Sequence, residues 1–505
     1  MGLTHARQRP YQGRPWLALL AALFVATCGG SSATPGASAK AGVAPTPTVG
    51  DSAAAPTPTN DEASARFGFG PQPDTSITYQ PDVVVIGGGP ASIRGVSADG
   101  LTWTVDAAAA GMDRLAPGLV MFATGKAVGR VIAMDRQGDA TDVTLAPVGL
   151  GEIIKDGHLT FDQRVPLDAL AIAEVPSLAD GIEDISIAPP SGVLPGEAPA
   201  SGARATLARS VETGPVATAT NASESQASTK VGKWAVTAYR TEGTVGLRAE
   251  QGVGAAQVSG ADLKVALDAH IEVSDLRVVA DIPVTRGEVG TSHFRVFGIK
   301  GLVMTVEGGA VNGLASNRKA RVEIPIKLSQ NVIIGGFPAT LTQTFRFLVE
   351  TAFTAKNGTL TAVGGWDVDG SIGIDGQTVT LPTMTARSPS LVDSIAGISV
   401  GVNGMVVAVS FEFGLMAGIA YAGAGPFAAL ITSLGLTNGS SLGIVHCRQA
   451  SITATVSAGV GVRIFDPVNQ ALKKLLKVDI PAKTTLATAD ILQERWASPD
   501  VEACR

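Results

Sequence analysis

At 505 residues the chain has room for two or three domains, and 45% apolar against 16% charged residues supplies ample material for a large core. Aromatic residues make up only 5% beside 60 glycines, so that core must be built mainly from Val, Ile, Leu and Ala. A net charge of −6 gives no basic footprint, which argues against nucleic acid as a partner and against electrostatic attraction to anionic membrane surfaces.

The chain opens with Arg7, Arg9 and Arg14, then an uncharged apolar run from Trp16 to Ala26, and no Asp or Glu precedes Asp51. The run is shorter than the roughly 20 apolar residues of a spanning helix and has the length of an export-signal core. It ends in Val25-Ala26-Thr27-Cys28, followed by Gly29-Gly30-Ser31. This resembles the bacterial lipoprotein signal, in which a small-residue box precedes a cysteine that is lipidated and becomes the new N-terminus. Thr27 stands where Gly, Ala or Ser is usual. The resemblance covers residues 1–28 alone; it implies a lipid on Cys28 and anchoring to the outer membrane or cell surface. An ordinary secretory leader or an uncleaved N-terminal anchor would also export the chain. Residues 29–65, rich in Ala, Pro and Thr and nearly free of large apolar side chains, read as a disordered tether.

Residues 66–187 read as a small, mostly antiparallel β domain. Strand signals lie at Asp82–Ile86, Leu101–Val105, Val128–Met134 and Thr141–Leu145, with Asp99-Gly100 and Gly138-Asp139 as turns and a short helix at Leu150–Ile154. Residues 188–230, with Pro189-Pro190 and a Ser/Thr/Ala-rich stretch, read as a linker or disordered insertion. The remainder, 231–505, reads as a larger sandwich- or roll-like β domain. In it Leu263, Val265, Leu267, Ala269, Ile271 and Val273 recur every second residue, the mark of a strand with one buried face. Similar runs occur at Val322–Leu328, Thr342–Phe353, Met405–Phe413 and Ile452–Val462. Helices are expected at Asp466–Leu476 and in a shorter piece from Pro426. The fold class is therefore mainly β with a few short helices.

The run Met405–Leu436 carries Glu412 as its only charge, yet its Gly and Ala content favours buried strands over a membrane span. Pro81-Asp82-Val83-Val84-Val85-Ile86-Gly87-Gly88-Gly89 resembles the phosphate-binding fingerprint of dinucleotide-binding flavoproteins. A strand signal at Leu101 leaves no room for the helix that would face a pyrophosphate, so a glycine-rich turn is expected and no cofactor. Gly439-Ser440-Ser441-Leu442-Gly443 fits the G-x-S-x-G of hydrolase elbows, which requires a strand before the serine and a helix after it; Asn438-Gly439 reads instead as a turn. Asp367, Asp369 and Asp375 hint at calcium but lack EF-hand spacing, so hairpin turns are expected there. His158, His270 and His293 form no spacing-based constellation. No catalytic or metal-ligating residue is named.

Cys447 and Cys504 are expected to pair once the chain is in an oxidising compartment, closing a loop worth on the order of 4 kcal/mol. The reading that follows is a membrane-tethered envelope protein with a structural, adhesive or binding role, held by its lipid and meeting an envelope protein or an apolar small molecule. Its alternatives are a carrier of an elongated, lipid-like ligand and, third, a hydrolase.

Overall fold

Alternating apolar residues broken by Gly, Asn and Asp turns produce strands almost throughout the computed structural model. It describes residues 77–97, 100–123, 126–175, 182–185, 225–252, 263–312, 317, 319–334, 337–354, 356–387, 390–399, 401–419, 422–441, 445–464, 472–473 and 487–504. Residues 1–76, with Cys28 and the expected leader and tether, and residues 188–224 lie outside them; so does most of Asp466–Leu476, of which Leu472 and Lys473 are described and helical.

After β1 (Thr78–Tyr79) comes a six-stranded sheet made of β2 (Val83–Val85), β3 (Ile93–Val96), β4 (Thr102–Asp106), β5 (Val120–Ala123), β6 (Ala127–Gln137) and β7 (Ala140–Ala146). Its order is β2-β5-β6-β7-β4-β3, antiparallel except for the parallel β2–β5 pair. Helix α1 (Leu150–Ile153) leads into β8 (Ile154–Arg164), β9 (Ala171–Glu174) and β10 (Ile182–Ile185). Next come β11 (Ser225–Val231), β12 (Trp234–Arg240), β13 (Thr244–Gln251), β14 (Leu263–Thr285), β15 (Glu288–Val289) and β16 (His293–Ala310). They are followed by β17 (Lys319–Ile334), β18 (Phe337–Phe353), β19 (Gly358–Asp369), β20 (Ser371–Asp375), β21 (Thr378–Thr380) and β22 (Thr383–Ala386). Helix α2 (Leu391–Ser394) precedes β23 (Val402–Ile419), β24 (Ala422–Ser441), β25 (Val445–Ile464) and β26 (Ala487–Ser498).

These later strands build two large antiparallel sheets, one of twelve strands around β13-β14-β16-β19 and one of eight strands around β17-β18-β23-β24-β25. They lie in a sandwich-like arrangement over a shared core of Val, Ile, Leu and Ala. The few large rings are spent inside it: Trp234 meets Phe347 edge-on at 5.0 Å, and Phe345 meets Phe411 at 5.8 Å. Each fully buried side chain of this kind contributes about 1.5–3 kcal/mol. A smaller core around Trp103, Val105 and Met121 fills the six-stranded sheet.

β14 explains how one strand serves so large a sheet. Its register against β16 slips between Val273 and Arg277, where Asp275 has φ 53° and the facing Gly298 φ 94°. A Cβ on Gly298 would stand 2.5 Å from the Ser274 carbonyl, so glycine is required. Below this bulge β14 pairs with β13; above it, with β8.

One expectation changes. Pro426 starts no helix: it lies inside β24, opposite Val460 of β25. Its neighbours Ala422–Leu430 are buried on both sides, and that packing overrides the helix-starting preference of proline. The six-stranded sheet ends at Ala146, within the stretch 66–187 read as the smaller domain. β8 joins the twelve-stranded sheet through β14, and β9 and β10 join the eight-stranded sheet through β17. Local alternation identifies a strand but not the sheet that receives it.

Candidate functional site

Where β3 and Lys126 of the smaller sheet approach the eight-stranded sheet, a cleft of about 650 Å³ opens. Its floor is set by register: Lys327 stands opposite Thr344, Ser329 opposite Thr342 and Asn331 opposite Thr340, so all six side chains share one face of β17 and β18. Thr342 donates to the Gly414 carbonyl at 3.3 Å. The walls are β3 and β9. Arg94 of β3 is held by Asp106 and Asp139, each at 2.7 Å, and their hydrogen bonds raise its pKa. Exposed Lys126 makes no ion pair among the described residues.

A second polar feature spreads over the outer face of the twelve-stranded sheet. Asp268, His270 and Glu272 alternate along β14 and so point the same way. Gly246 stands opposite His270, and a Cβ there would come within 2.6 Å of the Tyr239 ring; glycine lets that ring lie flat on the sheet. The Tyr239 hydroxyl donates to Asp268 at 2.8 Å and lies 3.2 Å from His270 Nδ1. Arg248 donates to Asp268 at 2.8 Å and stacks 4.1 Å above the Tyr239 ring. Burial pushes the Asp268 carboxyl up, but His270, Arg248 and Tyr239 together outweigh it and hold the group below its usual range. Gly301 plays the same hosting role for Arg387, which bridges Glu272 (2.9 and 2.5 Å) and Asp367 (2.8 Å). The Arg387 hydrogen bonds depress the Glu272 carboxyl.

The motifs singled out by the sequence disperse across the fold. The Gly87-Gly88-Gly89 run passes through a turn and one 3-10 turn at Gly89–Ser92 directly into β3, with no helix to receive a phosphate. Ser441 ends β24, Ser440 faces His446 of β25, and His446 bonds to Asn438 at 2.7 Å, so the described residues on either side of the motif are strands. Asp375 pairs with His293 (2.5 Å) and with Arg295; burial pushes its carboxyl up, and these two partners more than reverse that. Asp367 is taken by Arg387. His158 pairs with Asp281, itself opposite His293 in register. Among the described residues no three His, Cys, Asp or Glu side chains converge as metal ligands. Cys447 and Cys504 form a disulfide, tying the 3-10 turn Glu502–Cys504 to β25.

Neither the cleft nor the Tyr239 network is visible in the linear sequence, apart from the shared parity of Asp268, His270 and Glu272. Both depend on register between strands far apart in the chain.

The model of a domain of unknown function (DUF8402) matches residues 214–490, more than half of the chain, and that of a second domain of unknown function (DUF8403) matches residues 63–156. No curated protein and no solved structure matches.

Proposed function

We propose that this chain, which belongs to the DUF8402 family, is a lipid-anchored protein of the bacterial cell envelope whose β body has a structural, adhesive or binding role. The observation that carries the reading is the leader: a basic start, an apolar run of export-signal length, and Cys28 followed by a Pro/Thr/Ala spacer. The Cys447–Cys504 disulfide supports it, because such bonds persist in oxidising compartments outside the cytosol. Anchor, spacer and folded body then present the sheets at a distance from the membrane.

The binding form of this role draws on the cleft, which combines hydroxyl, amide and charged side chains with Ala and Val. A carrier of elongated apolar ligands draws less support. A chamber between the large sheets would have to displace Val278, Phe294, Phe345 and Phe411, all fully buried in the shared core.

Fractionation of cells expressing the wild type and Cys28→Ala tests the anchor. The wild type is expected in the membrane fraction, with an N-terminal peptide heavier by a diacylglyceryl group. Cys28→Ala is expected to lose that mass and leave the membrane fraction. An unmodified Cys28 in exported wild-type protein would overturn the reading.

A further inference from the structure

Two strand edges that have no pairing partner among the described residues border the same cleft. β3 is the terminal strand of the six-stranded sheet and among the described residues pairs only with β4. Among the described residues β9 pairs only with β17, along Ile326–Ser329. Ile93, Arg94, Gly95 and Val96, the whole of β3, line the cleft, as do Ala171, Ala173 and Glu174 of β9. Side chains of successive strand residues point to opposite faces, so a lining run of four neighbours means that the edge itself, with its outward N–H and C=O groups, borders the cavity. Each strand is four residues long, which at ~3.3 Å per residue presents about 13 Å of edge. An open edge is a template for another extended chain.

The lining also carries charge, in Arg94, Lys126, Lys327 and Glu174. Arg94 is already matched by Asp106 and Asp139, which leaves exposed Lys126 as a cation without an ion-pair partner among the described residues. Ser329, Asn331 and Thr340 add hydrogen-bonding groups on the floor.

We propose that the cleft takes an extended, acidic polypeptide segment of an envelope partner, which adds as a strand to the free edge of β3 with β9 as the opposite wall. The inference rests on the binding form of the envelope role and specifies its ligand. Backbone hydrogen bonds to β3 hold the segment, and Lys126 selects its charge.

The test uses the full chain and three synthetic ten-residue probes: alternating Val and Asp, the same peptide N-methylated at every second residue, and alternating Val and Lys. Anisotropy titration is expected to show binding of the Asp peptide, at least tenfold weakening by N-methylation, and weaker binding of the Lys peptide. Lys126→Glu, a surface change, should weaken the Asp peptide at least fivefold, and hydrogen exchange of Ile93–Val96 should slow when it binds. Equal binding of the N-methylated peptide, unchanged exchange at Ile93–Val96, or no binding of any probe would overturn the proposal. So would displacement of the Asp peptide by a long-chain fatty acid together with indifference to N-methylation, which would place a lipid in the cleft. The Cys28 experiment reads the anchor separately, so failure of either leaves the other standing.

Discussion

The two large sheets bury their strands differently. In the twelve-stranded sheet β14 alternates almost residue by residue between buried and partly exposed positions, with Asp268, His270 and Glu272 on the open side. In the eight-stranded sheet Phe411–Ala417 of β23 and Ala422–Leu430 of β24 are buried without interruption. Phe411 and Phe413 face the sandwich core, Glu412 and Ala429 share the other face, and β6 of the smaller sheet packs against β23. A continuous apolar run therefore marks a strand covered on both sides, and alternation marks one covered on a single side. The same contrast accounts for Met405–Leu436, whose membrane-like composition belongs to strands; no helix among the described residues is long and apolar enough to cross a membrane.

The contrast breaks most visibly under added charge. Ala429→Glu places a second carboxylate beside Glu412 on the covered face, where Ala429 has no exposure, and is expected to cost about 3–5 kcal/mol in urea unfolding. Val363→Arg, on the open face of β19 with 49% exposure, is expected to stay within about 0.5 kcal/mol. Comparable losses for the two variants would contradict two-sided burial of the eight-stranded sheet.

Next in size is the disulfide, which closes a 57-residue separation at the border of the eight-stranded sheet. Cys504→Ser should lower stability by about 2–4 kcal/mol, with hydrogen exchange rising first in β26 and last in β14. Uniform acceleration across both sheets would mean that they do not open separately.

The smallest effects belong to the outer network. Tyr239→Phe removes one hydrogen bond to a half-buried carboxylate and should cost about 1 kcal/mol in thermal unfolding. Asp268 and Glu272 are both depressed in the native state. Their contribution is thus fully present above the unfolded carboxylate range near pH 4 and is lost as pH falls through the lower native values. Arg387→Gln should flatten that loss between about pH 5 and 2, by under about 1 kcal/mol because the pair is a third exposed. An unchanged acid profile would remove Arg387 from the account.

Much of the strand layout was legible because it is local. Period-two alternation picked out β14, and turn residues such as Gly138-Asp139 and Asp375-Gly376 marked hairpins. Pro426 misled because its preference for helix starts is weaker than burial on both faces of β24. The cleft was illegible for a different reason: Ser329 and Thr342 become neighbours only through register, and β3 and β9 line one cleft only through the placement of the smaller sheet.

By itself, then, the sequence determined the class of the protein, the parity of its strands and the leader that directs the anchor proposal, since each is written in side chains a few residues apart. Tertiary structure alone decided which sheet received β8, β9 and β10, which apolar runs were covered twice, and which strand edges have no partner among the described residues. Those outcomes follow from pairing between distant strands, and a strand's own residues specify its faces without naming its neighbour.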